Sequence, residues 1–384
     1  MKRIVRFFAL PFTALSIGFG AYAGAQTFQE GDSPVAAENW EQRHALFATI
    51  TQNGRKGFIR RSVNEGATWE TVWDAGLHAR SRESRLTDIV YGKGRVVAVG
   101  NTIVVSGDGG ATWKEILFKT YEQKQTFVSN RALKAVAFGG GLFVTAGPKQ
   151  VLYSSDGLFW RYVRTAKLSA AERRRRKTKI KGEYPPDITK NLLFPLDIVY
   201  AGGSFFVSGG SRDGMVAVYS IAEERLVLDK RRKLIKEYGD AAKLPSGGMK
   251  SIAYNGRSGL LAISNGRKYM YSTDLGATWN FALLPQRKTG AAVLFAEGKW
   301  IAAASDGSVY TTEEIGAGWQ RSNLRGTENR INDLCYGNGL LFMAGSNGTV
   351  LRSQDGINWK LVSRGANGSH ITGMAYADLG SSTP

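Results

Sequence analysis

Ser106-Gly107-Asp108-Gly109-Gly110-Ala111-Thr112-Trp113 is the stretch on which the fold turns. It returns as Ser272-Thr273-Asp274-Leu275-Gly276-Ala277-Thr278-Trp279, with a close copy at Ser62-Val63-Asn64-Glu65-Gly66-Ala67-Thr68-Trp69. Shorter versions run from Ser154 through Asp156 to Trp160 and from Ser353 through Asp355 to Trp359. A variant with Glu for Asp runs from Thr312 through Glu314 to Trp319. An Asp or Asn side chain closes such a turn by accepting backbone N–H groups further along. Gly takes the positive φ that a tight hairpin needs. The Trp then buries a large face between neighbouring units. Asn64, Asp108, Asp156, Asp274, Glu314 and Asp355, with Trp69, Trp113, Trp160, Trp279, Trp319 and Trp359, are therefore read as fold staples rather than as chemistry.

Successive Trp residues are 44, 47, 119, 40 and 40 residues apart. The wide gap holds one further unit plus insertions. Between the hairpins lie apolar strands of one type: Asp88–Tyr91, Ala135–Phe138, Asp197–Tyr200, Ser251–Tyr254, Ala292–Phe295, Asp333–Tyr336 and Gly373–Tyr376. A repeat of roughly 40 residues is the length of a four-stranded blade. The last strand has no hairpin after it, and the first hairpin has no such strand before it. Ring closure solves both: the strand near 371–376 completes the blade begun by 45–50 and 57–61, removing sheet edges that would invite aggregation. The expectation is an all-β, seven-bladed β-propeller over 44–380. Its fourth blade has lost the hairpin motif, Val216–Ser220 turning through 222–224 into Arg225–Leu228 with no Trp.

On these residues the chain resembles the Asp-box, or bacterial neuraminidase repeat, family of β-propellers. The likeness spans nearly all of the chain after residue 25.

The chain has 384 residues, 47 Gly, 9 Pro and 43% hydrophobic content, which excludes disorder, collagen and a coiled coil. With one Cys, no intramolecular disulfide forms. Three His, at 44, 78 and 370, make a multi-histidine metal site an unpromising reading, and no cofactor or metal is expected. The single thiol, Cys335, lies in an apolar strand and reads as buried and inert.

Residues 1–25 have the layout of a secretory signal peptide. Lys2, Arg3 and Arg6 precede an apolar stretch, and Ala23-Gly24-Ala25 supplies the small residues of a cleavage site. A retained anchor is the alternative, for which the stretch is short and Gly-rich. Residues 26–43 form an N-terminal segment before the propeller. The expected location is periplasmic or secreted.

The formal charge of +19 favours acidic partners. It concentrates in two insertions. Residues 164–190 carry Arg173, Arg174, Arg175, Arg176 and Lys177, with Lys179 and Lys181; residues 229–243 carry Lys230, Arg231, Arg232 and Lys233. Both join an outer strand to the next inner strand, so both are expected on one rim, opposite the hairpins. Five consecutive cations repel one another unless an anionic partner is present; a solvated loop is the bland alternative. An acidic protein segment or membrane-protein complex fits best, with anionic lipid or acidic glycan as alternatives. The loop lacks aromatics for base stacking, which argues against nucleic acid. A monomer is expected.

Arg85, Arg330 and His370 each stand six residues before their strand's Tyr, and Arg131 seven before Phe138. Pseudo-symmetry puts them, with Asp88, Asp197 and Asp333, near one mouth of the channel, as a binding funnel or simply as a wet wall. Sialidases share the Asp-box, but their Arg-Ile-Pro motif is matched here only by Phe58-Ile59-Arg60-Arg61-Ser62, without the Pro and in the wrong order. A secreted sialidase-like glycoside hydrolase or glycan-binding protein using the channel mouth is the alternative function, with the three Asp as the only candidate carboxylates. The closer resemblance is to the lumenal photosystem II assembly and stability factors, exported seven-bladed propellers with an arginine-rich patch. It implies a non-catalytic scaffold that helps a membrane complex assemble. The Arg173–Lys177 insertion and the degenerate fourth blade depart from that family.

Overall fold

The computed structural model describes residues 43–78, 84–116, 132–148, 150–162, 194–210, 216–222, 225–228, 248–264, 266–285, 290–316, 318–322, 324 and 330–380. The signal segment, residues 26–42, Arg131 and both basic insertions lie outside these residues.

Alternating apolar residues bounded by Gly turns give strands, and the strands form antiparallel four-stranded sheets, seven among the described residues. Six of them run in sequence from an inner to an outer strand. The inner strands are Leu86–Gly92, Ala135–Gly139, Phe194–Ala201, Met249–Tyr254, Gly290–Ala296 and Ile331–Gly337. The remaining sheet is assembled from both ends of the chain. Its inner strand, Ser369–Asp378, pairs antiparallel with His44–Gln52, from His44↔Asp378 to Gln52↔Ser369. Lys56–Ser62 and Glu70–Asp74 complete it. Each inner strand packs against the next around an axis, and Ser369–Asp378 touches both Ile331–Gly337 and Leu86–Gly92. This is a β-propeller. Blades are numbered here from the one built of both chain ends.

The core is divided among the blade interfaces. Phe47, Ile89, Tyr91 and Ala98 pack between blades one and two. Leu46, Phe342, Met374 and Tyr376 pack between blades seven and one. Every other adjacent pair has its own cluster. One wedge recurs. The aromatic of one inner strand sits where a side chain on the preceding strand would be. A Cβ on Gly337 would lie 2.0 Å from Tyr376 Cγ, and one on Gly92 2.2 Å from Phe138 Cγ. Glycine is needed there for close approach.

The Ser-x-Asp hairpins close as local physics requires. Asp108 Oδ1 accepts from Ser106 Oγ (2.8 Å) and Thr112 N (2.9 Å), while Ser106 Oγ accepts from Gly110 N (2.8 Å). Asn64 and Asp274 accept from the corresponding groups. In the shorter hairpins Asp156 accepts from Leu158 and Phe159 N, and Asp355 from Ile357 and Asn358 N. Trp69, Trp113, Trp160, Trp279 and Trp359 each donate Nε1 to the carbonyl of the hairpin glycine three residues earlier. Their rings pack against the interface with the preceding blade.

Glu314 corrects the sequence reading. Among the described residues its carboxylate does not take the place of the hairpin Asp, and Thr312 Oγ1 holds the turn, accepting from Glu314 N (3.3 Å) and donating to Glu314 O (2.9 Å). The extra methylene carries the Glu carboxyl past the N–H groups an Asp would meet. Trp319, whose buried Nε1 lacks the carbonyl partner, sets its ring edge-on to Tyr269 at 5.7 Å. Asp355→Ala should therefore cost about 1–2 kcal/mol in urea unfolding. Glu314→Ala should stay within about 0.5 kcal/mol. Equal losses would contradict this division of labour.

Candidate functional site

A shift in register recurs where the inner strands of blades two and four to seven pair with their second strands, for example between Leu86 and Asp88 and between Ile331 and Asp333. Such a bulge leaves an N–H outside the ladder. On the channel wall these groups are taken by side chains. Asp88 Oδ1 accepts from its own Ile89 N (2.8 Å), and Oδ2 from Val136 N of the next blade (2.7 Å). Asp197 accepts from Ile198 N (2.7 Å), Ile252 N (2.9 Å) and Ser251 Oγ (2.8 Å). Ser251 Oγ in turn accepts from Val293 N (3.2 Å). Asp333 accepts from Leu334 N (2.8 Å) and Met374 N (2.6 Å). Three Asp and one Ser thus satisfy the equivalent N–H of every inner strand. Where the preceding blade presents Gly373, Ala135 or Ala292, the blade's own Asp serves.

The reading of these Asp as candidate catalytic carboxylates is corrected accordingly. Both oxygens of each carboxylate are engaged with backbone donors, so the scaffold occupies them. Burial pushes all three acids upward, Asp197 to about 6 and Asp333 to about 7. Asp88 is pushed well up by burial and then by the charges of Asp333 and Asp197 across the channel. Cys335 is buried, and burial with Asp333's charge pushes its thiol up. No group of three or more His, Cys, Asp or Glu among the described residues is placed to hold a metal ion.

Beyond the Asp tier, toward the starts of the inner strands, the wall is cationic. Arg85 and Arg330 are exposed and His370 is half-buried. Two residues the sequence reading missed join them. Lys134 is exposed and Lys250 half-buried, each immediately before the stitching position. Burial lowers Lys134, with Arg85's charge second; burial and then Arg330's charge push Lys250 down to about 8. Aligning the inner strands on their aromatics would have found this column: Thr87, Lys134, Leu196, Lys250, Ala291, Asn332 and Thr372. Arg173–Lys177, Lys179, Lys181 and Lys230–Lys233 lie outside the described residues, as does Arg131.

The elements of a sialidase centre are used otherwise. Arg61 pairs with Glu70 and donates to Gly109 O of the next blade (2.8 Å). Tyr336 donates to Glu297, but burial and the Glu charge push its phenol up, opposite to the need of a nucleophile.

The fold and the channel wall define a β-propeller of antiparallel four-stranded blades with a cationic mouth. Its likeness to solved structures is as follows. The computationally designed Ika8 protein aligns at 15% identity and a TM-score of 0.52, over 87% of this chain and 91% of that one. YCF48 from Cyanidioschyzon merolae aligns at 14% and 0.52, over 81% and 96%. YCF48 bound to D1 peptide aligns at 12% and 0.53, over 81% and 94%. At these identities the likeness establishes the fold. No protein family and no curated protein matches the sequence.

Two outcomes follow from the Asp tier. Asp88→Ala strands the N–H groups of Ile89 and Val136, and should lower unfolding free energy by about 2–4 kcal/mol. A loss below about 1 kcal/mol would mean that channel water replaces the carboxylate. The second outcome concerns pH. The folded values of Asp197 and Asp333 lie above the ordinary 3.8, so between about pH 4 and 7 the folded state holds protons that the unfolded chain releases. Stability from these groups is full below about pH 4 and falls as pH rises through 6 and 7. The hairpin carboxylates of Asp274, exposed, and Asp355, half-buried, are drawn down to about 2 by their hydrogen bonds and add nothing in that window. Denaturant unfolding across pH 4–8 should show the decline, flattened in Asp333→Asn; stability rising with pH would refute it.

Proposed function

We propose that this chain is an exported, non-catalytic, seven-bladed Asp-box propeller that binds an acidic segment of a membrane-protein complex and assists that complex's assembly or stability. The observation that carries the reading is the cationic channel mouth. Arg85, Lys134, Lys250 and Arg330 gather there, and none makes a side-chain hydrogen bond or ion pair with another described residue. On the other faces some cations are paired, as Lys56 with Asp74, Arg61 with Glu70 and Arg352 with Glu65. Arg131 and His370 belong to the same rim in this reading. The segments bearing Arg173–Lys177 and Lys230–Lys233 lead into the starts of inner strands Phe194–Ala201 and Met249–Tyr254, the end at which the mouth lies. In this reading their charge adds to the positive field of the mouth, which steers acidic partners.

Support also comes from the structure of a propeller of like fold, YCF48, bound to D1 peptide. The signal-like residues 1–25 put the encounter outside the cytoplasm, with cleavage near Ala25. The partner need not be a photosystem, because the basic insertion and the fourth blade without the hairpin motif depart from the family that the sequence resembles.

Co-purification from native membranes, comparing the wild-type chain with one carrying Gln at each of 173–177, tests the reading. A discrete membrane protein should accompany the wild type, be released by salt, and be reduced at least tenfold with the variant. Equal recovery with both forms would remove the basic rim from the mechanism.

A further inference from the structure

The column of residues just before the stitching position has a structural task in three blades. Thr87 Oγ1 donates to Leu133 O of the next blade (2.7 Å), Thr372 Oγ1 to Leu86 O (3.1 Å), and Asn332 Nδ2 to Ile371 O (2.8 Å). Leu196 and Ala291 supply only apolar surface. Lys134 and Lys250 fill the same column yet bond to no neighbour through their side chains among the described residues. The scaffold has a bridging residue for this place and does not use it in these two blades.

Holding the two lysines there is unfavourable. Lys250 is half-buried and feels the positive charge of Arg330, and Lys134 that of Arg85. Asp333 offsets part of this for Lys250, but no ion pair forms between them. Like charges held near one another, with Lys250 also half-buried, are relieved by an anion.

We propose that the channel mouth is a carboxylate site in which Lys134 and Lys250, framed by Arg85 and Arg330, receive the free carboxylate of a peptide chain end or of a small organic acid. A carboxylate suits the site because it carries one charge and two acceptor oxygens, one for each lysine. The ring is closed by Ser369–Asp378 on His44–Gln52, so a ligand enters only along the axis, as a chain end or a small molecule does. We rest this on the reading of the molecule as a binding propeller; it names the group recognised at the mouth, apart from the basic insertions.

The test is titration calorimetry on the full chain with three probes: an N-acetylated hexa-alanine with a free C-terminus, the same peptide amidated, and succinate. The acid peptide should bind, and amidation should weaken it at least tenfold. Lys250→Met and Lys134→Met should each weaken it at least fivefold, with Lys250→Arg restoring much of the loss. Thermal unfolding of each variant confirms the fold. Competition by succinate only at far higher concentration assigns the site to chain ends; comparable affinity assigns it to free acids. Equal binding of acid and amide, or full affinity in both methionine variants, overturns the inference. The variant carrying Gln at 173–177 should keep peptide binding. If it loses the membrane partner while the lysine variants bind all probes as wild type does, the rim reading stands and the carboxylate site falls. If no partner and no probe binds the wild type, both fall.

Discussion

A backbone N–H displaced from its ladder by a bulge, on the wall of a closed channel, must find an acceptor, and much of this molecule follows from that requirement. A carboxylate has two oxygens. Asp88, Asp197 and Asp333 each use one for their own blade and one for the next, so the acceptor that satisfies a bulge also joins two blades. Ser251, with one oxygen, relays the pattern by donating to Asp197 and accepting from Val293. The aromatic-on-glycine wedges repeat the principle in apolar form further along the inner strands. Blades thus close in polar and apolar tiers, and neither tier is available for catalysis without loosening the ring.

That division explains the contrast between the two rims. On the hairpin rim most polar side chains are consumed locally: the Asp holds its own turn, Ser caps the glycine, and Trp donates to its own hairpin. Arg61 and Lys93 reach across to a neighbouring hairpin and tie adjacent blades. At the opposite mouth the inner strands begin, local turns no longer absorb charge, and arginines and lysines are left facing one another. Among the described residues, polar groups on the hairpin rim are mostly satisfied locally, while Arg85, Lys134, Lys250 and Arg330 at the opposite mouth have no side-chain partner, and it is there that recognition is proposed.

The hairpins were legible in the sequence because everything in them is local: donor and acceptor lie within four residues, so spacing alone encodes the bond. The same locality made Glu314 misleading, since letter similarity hid one methylene of extra reach. The mouth was half legible. Arg85, Arg330 and His370 fell out of counting back from each strand's aromatic, whereas Lys134 and Lys250 looked like ordinary strand residues. Only the contrast with the bridging Thr87, Asn332 and Thr372 sets them apart, and those bridges exist only between blades.

The sequence by itself determined the repeat, the strand–turn grammar, the role of Ser, Asp, Gly and Trp in the hairpins, and the pairing of the chain's two ends into one blade. These rest on short-range hydrogen bonds and on hydrophobic periodicity. Tertiary structure alone decided the fate of the three channel acids. A carboxylate on an exposed strand is a charge in water; the same carboxylate on a curved wall, beside the bulged backbone of the next blade, is a scaffold acceptor with its acidity suppressed by burial. Its partners lie about 40 to 55 residues away in sequence, fixed by ring curvature and invisible to any local pattern.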